Sequence, residues 1–120
     1  MFSWEDESIV FDTLNNIVAE YKLPIPNYIK ADIEGEELNF LNSSVSFIKK
    51  NKPELIQITT YHRPTDHITI PNYFSSFEGN GSFSDGVMVF NRDGMVNGSY
   101  RKKIYHPIIR KCLYSFRFNH

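Results

Sequence analysis

Apolar residues recur along this chain with two different periods. Leu14, Ile17, Val18 and Tyr21 fall at i, i+3, i+4 and i+7, which is one face of a helix. Asp12 or Thr13 can cap that helix, and Leu23-Pro24-Ile25-Pro26 ends it, because proline cannot continue a helix and restrains the residue before it. Leu38, Leu41, Val45 and Ile48 repeat the spacing and predict a second helix from about Gly35 to Lys50. Lys49, Lys50 and Lys52 suit the negative end of its dipole, and Pro53 closes the unit. Between the helical stretches lie short runs of strand type: Ser8 to Phe11, Tyr28 to Ile33, and the β-branched run Leu55 to Thr60.

The resulting order is strand, helix, strand, helix, strand. It predicts an open α/β fold with parallel strands and right-handed crossover helices. Ligands in such sheets sit at the carboxyl ends of the strands, where Asp32 to Glu37 and Tyr61-His62 fall. Beyond His62 the pattern changes. Arg63 to Asp66 reads as a turn, with a short helix following to about Phe77 and a loop over Glu78 to Gly86. Val87 to Phe90 reads as a strand entering a hairpin turn at Asn91-Arg92-Asp93-Gly94, and Leu113 to Phe118 as a last strand.

A length of 120 residues fits one small domain, and 41% hydrophobic with 15% aromatic residues is enough for a packed core. The net charge of -1 demands neither nucleic acid nor membrane. Its distribution is uneven: up to Lys50 there are nine acids against four bases, and from Arg92 onward seven bases against Asp93 alone. That basic third, interleaved with Tyr100, Tyr105, Tyr114, Phe116 and Phe118, admits a nucleic-acid-binding reading, although a solvated face and core aromatics explain it more simply. The single cysteine, Cys112, excludes an internal disulfide and a cysteine-rich zinc cluster, and fits a reducing, cytoplasmic setting. No apolar run reaches the roughly 20 residues of a membrane helix.

The acidic turn carries the candidate chemistry. IKADIEGEEL places Asp32, Glu34, Glu36 and Glu37 where a strand passes into a helix. Carboxylates in a first helical turn gain about 0.3–1 kcal/mol each from the dipole, Glu34 and Glu37 are spaced like a capping box, and Gly35 permits a tight turn. Asp32, however, falls at the end of a buried strand, where a bare carboxylate is costly, and the next strand ends on the same rim in Tyr61-His62. A carboxylate beside a histidine is an acid/base or metal constellation.

The run TLNNIVAEYKLPIPNYIKADIEGEELNFLNSS, with KNKPELIQITTYHRPTDHITIP after it, resembles the FkbM-type methyltransferases. Thr13, Leu14, Ile29, Lys30, Asp32, Glu34, Gly35, Glu37, Lys52, Pro53, Tyr61, His62, Pro64 and Asp66 fall in register with that family's pattern. The resemblance implies a partial Rossmann-like methyltransferase fold and S-adenosylmethionine as donor. It implies a hydroxyl-bearing acceptor: a small molecule, a sugar or a lipid. Asp32 and His62 are then the candidate catalytic residues. Glu34, Glu37 and Tyr61 are candidates for binding the acceptor, and Glu34 and Glu37 also for a divalent ion, with no metal specified by the pattern.

Residues 1–71 are expected to form the acceptor-side, C-terminal half of such a domain. Residues 72–120 are expected to be a divergent or inserted segment with a hairpin and a final strand. No strand, glycine-rich turn and helix in series stands before Thr13, and Gly79-Asn80-Gly81 follows no expected strand. The expectation is therefore a truncated methyltransferase, with no donor-binding residues of its own and inactive alone, completed by an N-terminal half. The competing reading is a non-catalytic remnant or interaction module.

Overall fold

The computed structural model describes residues 12–90 and 108–119. The strand expected at Ser8 to Phe11 lies outside them, as do Tyr100, Tyr105 and the bases Arg92 and Arg101 to Lys103. Among the described residues four helices and six strands follow in the order α1 (Leu14–Glu20), β1 (Tyr28–Ala31), α2 (Glu37–Ser43), α3 (Val45–Asn51), β2 (Leu55–Thr59), α4 (Asp66–Phe74), β3 (Gly79–Phe83), β4 (Val87–Phe90), β5 (Ile108–Lys111) and β6 (Leu113–Phe118).

The main sheet has the order β1-β2-β6-β3. β1 and β2 are parallel, Ile29 standing opposite Ile56 and Ala31 opposite Ile58, with α2 and α3 crossing between them. The expected parallel neighbours and their helical connection are therefore present, but the sheet is mixed. β6 runs antiparallel to both β2 and β3. β2 and β3 thus point the same way, joined through α4, with the last strand between them. β4 and β5 form a separate antiparallel ribbon.

The core lies on one face of the main sheet. Ile29, Ala31, Ile56, Ile58, Tyr114, Phe116 and Phe118 meet Leu41, Phe47, Ile48, Ile70 and Phe74 from the helices. Phe74 stacks on Phe116 with centroids 4.7 Å apart. The other face is polar: Tyr28 Oη donates to Gln57 Oε1 at 2.5 Å, and Gln57 Nε2 donates to Ser115 Oγ at 3.1 Å. Burial of Tyr114, Phe116 and Phe118 removes these rings as stacking platforms for nucleic acid.

Several boundaries differ from the sequence pattern, each for a physical reason. The helix expected from Gly35 to Lys50 is two helices meeting at buried Ser44. The break turns Phe47 inward beside Ile48, a core residue that the i, i+3, i+4 stripe omits. The first helix buries none of its residues completely: Leu14 and Val18 pack on the core, while Ile17 and Tyr21 of the same stripe stay exposed. Tyr28 to Ile33 pairs only as far as Ala31, because Asp32 to Glu36 turns away.

Glu78 to Gly86, expected as loop, contains β3. Its glycines are there for packing, since a Cβ on Gly81 would collide with the Tyr114 ring and one on Gly79 with the Phe116 ring and the Arg117 carbonyl. β4 pairs with β5, Phe90 opposite Ile108. The turn expected at Asn91-Arg92-Asp93-Gly94 lies outside the described residues. Among the described residues no helix is long and apolar enough to cross a membrane.

Candidate active site at the carboxyl edge of the sheet

Where β1 ends, the chain must reverse into α2. It does so over Ile33 to Glu36, with Glu36 N–H donating to the Ile33 carbonyl at 3.2 Å. Glu34 and Gly35, the two central residues, have φ of 56° and 98°. Positive φ at both central positions is the type I′ pattern, which glycine adopts without strain and glutamate does not. Arg63 Nε donates to the Gly35 carbonyl at 2.5 Å and so fastens this turn to the end of β2.

Glu37 opens α2 and is wholly buried, at 0% exposure. Its carboxylate turns back on its own loop, accepting Ile33 N–H at 2.6 Å through Oε2 and Gly35 N–H at 3.0 Å through Oε1. The same Oε2 stands 3.3 Å from Thr59 Oγ1 and 3.2 Å from His62 Nδ1. A buried anion is tolerable when donors surround it in this way. Nδ1 of the imidazole thus faces Glu37, and Nε2 faces the rim.

At that nitrogen stand Asp32 Oδ1 at 3.3 Å and Glu34 Oε2 at 3.7 Å. Tyr61 Oη approaches Asp32 Oδ1 at 3.4 Å, and its ring packs against His62 at 4.2 Å between centroids. Burial, followed by the negative charge of Asp32 and its hydrogen bond, raises the Tyr61 phenol above its usual pKa, so it remains a donor at neutral pH. Asp32 is exposed and Glu34 nearly free in solvent, whereas His62 keeps only 11% side-chain exposure. The structure thus brings together Asp32, Glu34, Glu37, Tyr61 and His62, the five residues expected at the site. It separates them by layer: Glu37 lies beneath the histidine, the other three carry groups at the surface.

Asp32, Glu37 and His62 each offer a ligand atom within 4.8 Å of the others. At the surface of the rim stand the ligand atoms of Asp32, Glu34 and His62 Nε2, while Glu37 Oε2 lies beneath, also accepting the Ile33 N–H. The arrangement can hold a hydroxyl and remove its proton.

Three contributors escape sequence reasoning. Thr59 centres the cluster, its Oγ1 lying 3.3 Å from the Ala31 carbonyl and 3.5 Å from Asp32 Oδ1. It reads only as a β-branched strand residue. Arg63 reads as part of a turn. Arg110, on β5, donates from Nη1 to the Tyr61 carbonyl at 2.8 Å and the His62 carbonyl at 3.4 Å. It lies 48 residues from His62 in sequence, and no local signal marks it.

Residues 12–83, more than half of the chain, match the family described as the methyltransferase FkbM domain. The match takes in α1 through β3, and with them Asp32, Glu34, Glu37, Tyr61 and His62. Neither the curated proteins nor the solved structures give a match.

Proposed function

The chain belongs to the FkbM methyltransferase family, and from that premise we propose that its rim is the acceptor side of an S-adenosylmethionine-dependent O-methyltransferase. The observation that supports this most is the line Glu37–His62–Asp32. A buried carboxylate faces Nδ1, and Nε2 stands beside an exposed carboxylate. A base held by a third group in this way is the arrangement that removes a proton from a hydroxyl nucleophile.

In this reading an acceptor hydroxyl lies between Asp32 and His62. Asp32 and Tyr61 orient it, and Nε2 takes its proton as the oxygen attacks. Glu37 and Asp32 then stabilise the imidazolium, and Glu34 adds contacts to the rest of the acceptor. The donor, when bound, supplies the methyl group. The described residues do not fit it: the glycines of β3 are filled by the rings of Tyr114 and Phe116, and the Gly35 turn is fastened by Arg63. Donor binding is therefore assigned to a complementing half outside these residues.

Calorimetric titration of the 120-residue chain with S-adenosylmethionine should show no binding, and micromolar affinity would overturn the division into halves. In an assembly with a donor-binding half, Asp32→Asn and His62→Ala should each lower methyl transfer to hydroxyl acceptors by about 10²–10⁴-fold, with donor affinity unchanged. Undiminished transfer in both variants would remove the acceptor-side reading and leave an interaction module.

A further inference from the structure

We propose that the β4–β5 ribbon is the acceptor-selecting wall of this rim. Its Met88–Phe90–Ile108 face takes the hydrocarbon part of an amphiphilic, hydroxyl-bearing acceptor, and Arg110 positions that face against Tyr61 and His62. The proposal rests on the acceptor-side reading above and adds the class of acceptor. It is carried by residues beyond the family match, which ends at 83.

Strand register divides the ribbon into two faces. Met88 stands opposite Arg110 and Phe90 opposite Ile108, and these four share one face; Val87, Val89, Ile109 and Lys111 share the other. The two faces look different ways at their base. Lys111 Nζ lies 5.9 Å from the Phe83 ring, on the β3 side. Arg110 has its guanidinium 4.7 Å from the Phe90 ring and its Nη1 on the carbonyls of Tyr61 and His62. The Met88–Phe90–Ile108 face is therefore the one continuous with the rim.

The base of the ribbon is also fixed there. Thr60 N–H donates to the Cys112 carbonyl at 2.9 Å, and Thr60 Oγ1 donates to the Lys111 carbonyl at 2.6 Å. Thr60, Tyr61 and His62 are thus tied in succession to residues 110–112, and movement of the ribbon must be felt at His62. Yet the ribbon's apolar side chains are open: Met88 is 39% and Ile108 40% exposed. A two-stranded ribbon gains little stability alone, and apolar side chains exposed beside a polar rim match a ligand with a polar head and an apolar body.

The test uses the full chain with ¹³C-labelled Met and Ile methyls. It is titrated with n-octyl β-D-glucopyranoside below its micelle concentration, and separately with methyl β-D-glucopyranoside. The octyl compound should shift the Met88 and Ile108 methyls and the His62 ring together, at a concentration at least about 10-fold lower than the methyl compound needs, since each buried methylene adds affinity. Ile108→Glu should abolish that gain, with circular dichroism confirming the fold and Met88→Gln serving as a second variant. Arg110→Gln should leave the ribbon methyls responsive and silence His62, while Arg110→Lys restores part of the His62 response.

Equal affinity for the two glucosides, with His62 responding to both, would overturn the proposal and leave the acceptor-side reading standing. Methyl shifts without any His62 response in the native chain would overturn the link to the rim. A dimer in sedimentation whose dissociation accounts for the methyl shifts would assign the face to a second copy instead.

Discussion

Glu37 and Glu34 stand three residues apart in one acidic turn, and they have opposite environments. Glu37 is enclosed and accepts from Ile33, Gly35 and Thr59 while facing His62 Nδ1. Glu37→Gln would turn an amide N–H₂ toward donors and leave buried groups unpaired, so it should cost about 2–4 kcal/mol in urea unfolding. Glu34→Gln, at the surface, should stay within about 0.5 kcal/mol. The sequence marks both residues as candidates but cannot rank them, because burial depends on the turn folding Glu37 back beneath β2.

Tyr73 offers a test by pH. Burial pushes its phenol up to about 12, and its Oη donates to the Leu41 carbonyl at 2.7 Å. A folded pKa above the unfolded value of about 10 means that the stabilisation is complete below pH 10 and is lost as pH rises toward 12. Tyr73→Phe should lower stability at pH 7 by about 1 kcal/mol and flatten the alkaline limb of the stability curve, measured by chemical denaturation from pH 7 to 12.

At the scale of elements, the β1–α2 turn is set by backbone geometry. Gly35 has φ of 98°, and a Cβ there would lie 3.2 Å from Arg63 Nε. Gly35→Ala should therefore cost about 1–2 kcal/mol in strain and crowding, read as a lower urea midpoint with an unchanged slope. The turn glycine, the Thr13 cap, the helix stop at Lys52-Pro53 and the parallel pair β1/β2 were legible, because glycine between carboxylates, proline after lysine and β-branched runs act locally. The capping-box spacing of Glu34 and Glu37 misleads, since Glu36 stands at the N-cap without a side-chain bond and Glu37 folds back on Ile33 and Gly35. The break at Ser44 was not legible, since the apolar stripe runs through it unbroken and the change of direction comes from packing on the sheet. β3 was not legible either. GNGSF has the composition of a loop, and it becomes a strand because the rings of β6 need the space its missing side chains leave.

Across the whole molecule, packing is unequal. β2 and β6 lie inside the main sheet with Ile56, Ile58, Tyr114 and Phe116 buried, whereas among the described residues β4 and β5 pair only with each other. Native-state hydrogen exchange should find the slowest amides in β2 and β6 and the fastest strand amides in β4 and β5. Slow exchange in the ribbon, at the rate of the central strands, would contradict this gradation. The separation of main sheet and ribbon was not legible from the sequence, because the pairing of Phe90 with Ile108 spans residues 91–107. Of the candidate site, the five expected residues converge, while the two arginines that brace them come from a turn and from the ribbon.

The position of β6 bears on how the protein is made. Its hydrogen bonds join β2 to β3, so neither strand has its inner neighbour until residue 118 has left the ribosome. At synthesis rates of about 5–20 residues per second, the growing chain spends several seconds with the edges of β2 and β3 unpaired and Ile56 and Ile58 only partly covered. Nascent chains of this protein should therefore be chaperone clients until Phe118 has emerged. Arrested chains stopped at Cys112 should remain protease-sensitive, while chains tethered well past Phe118 should become resistant in a single step.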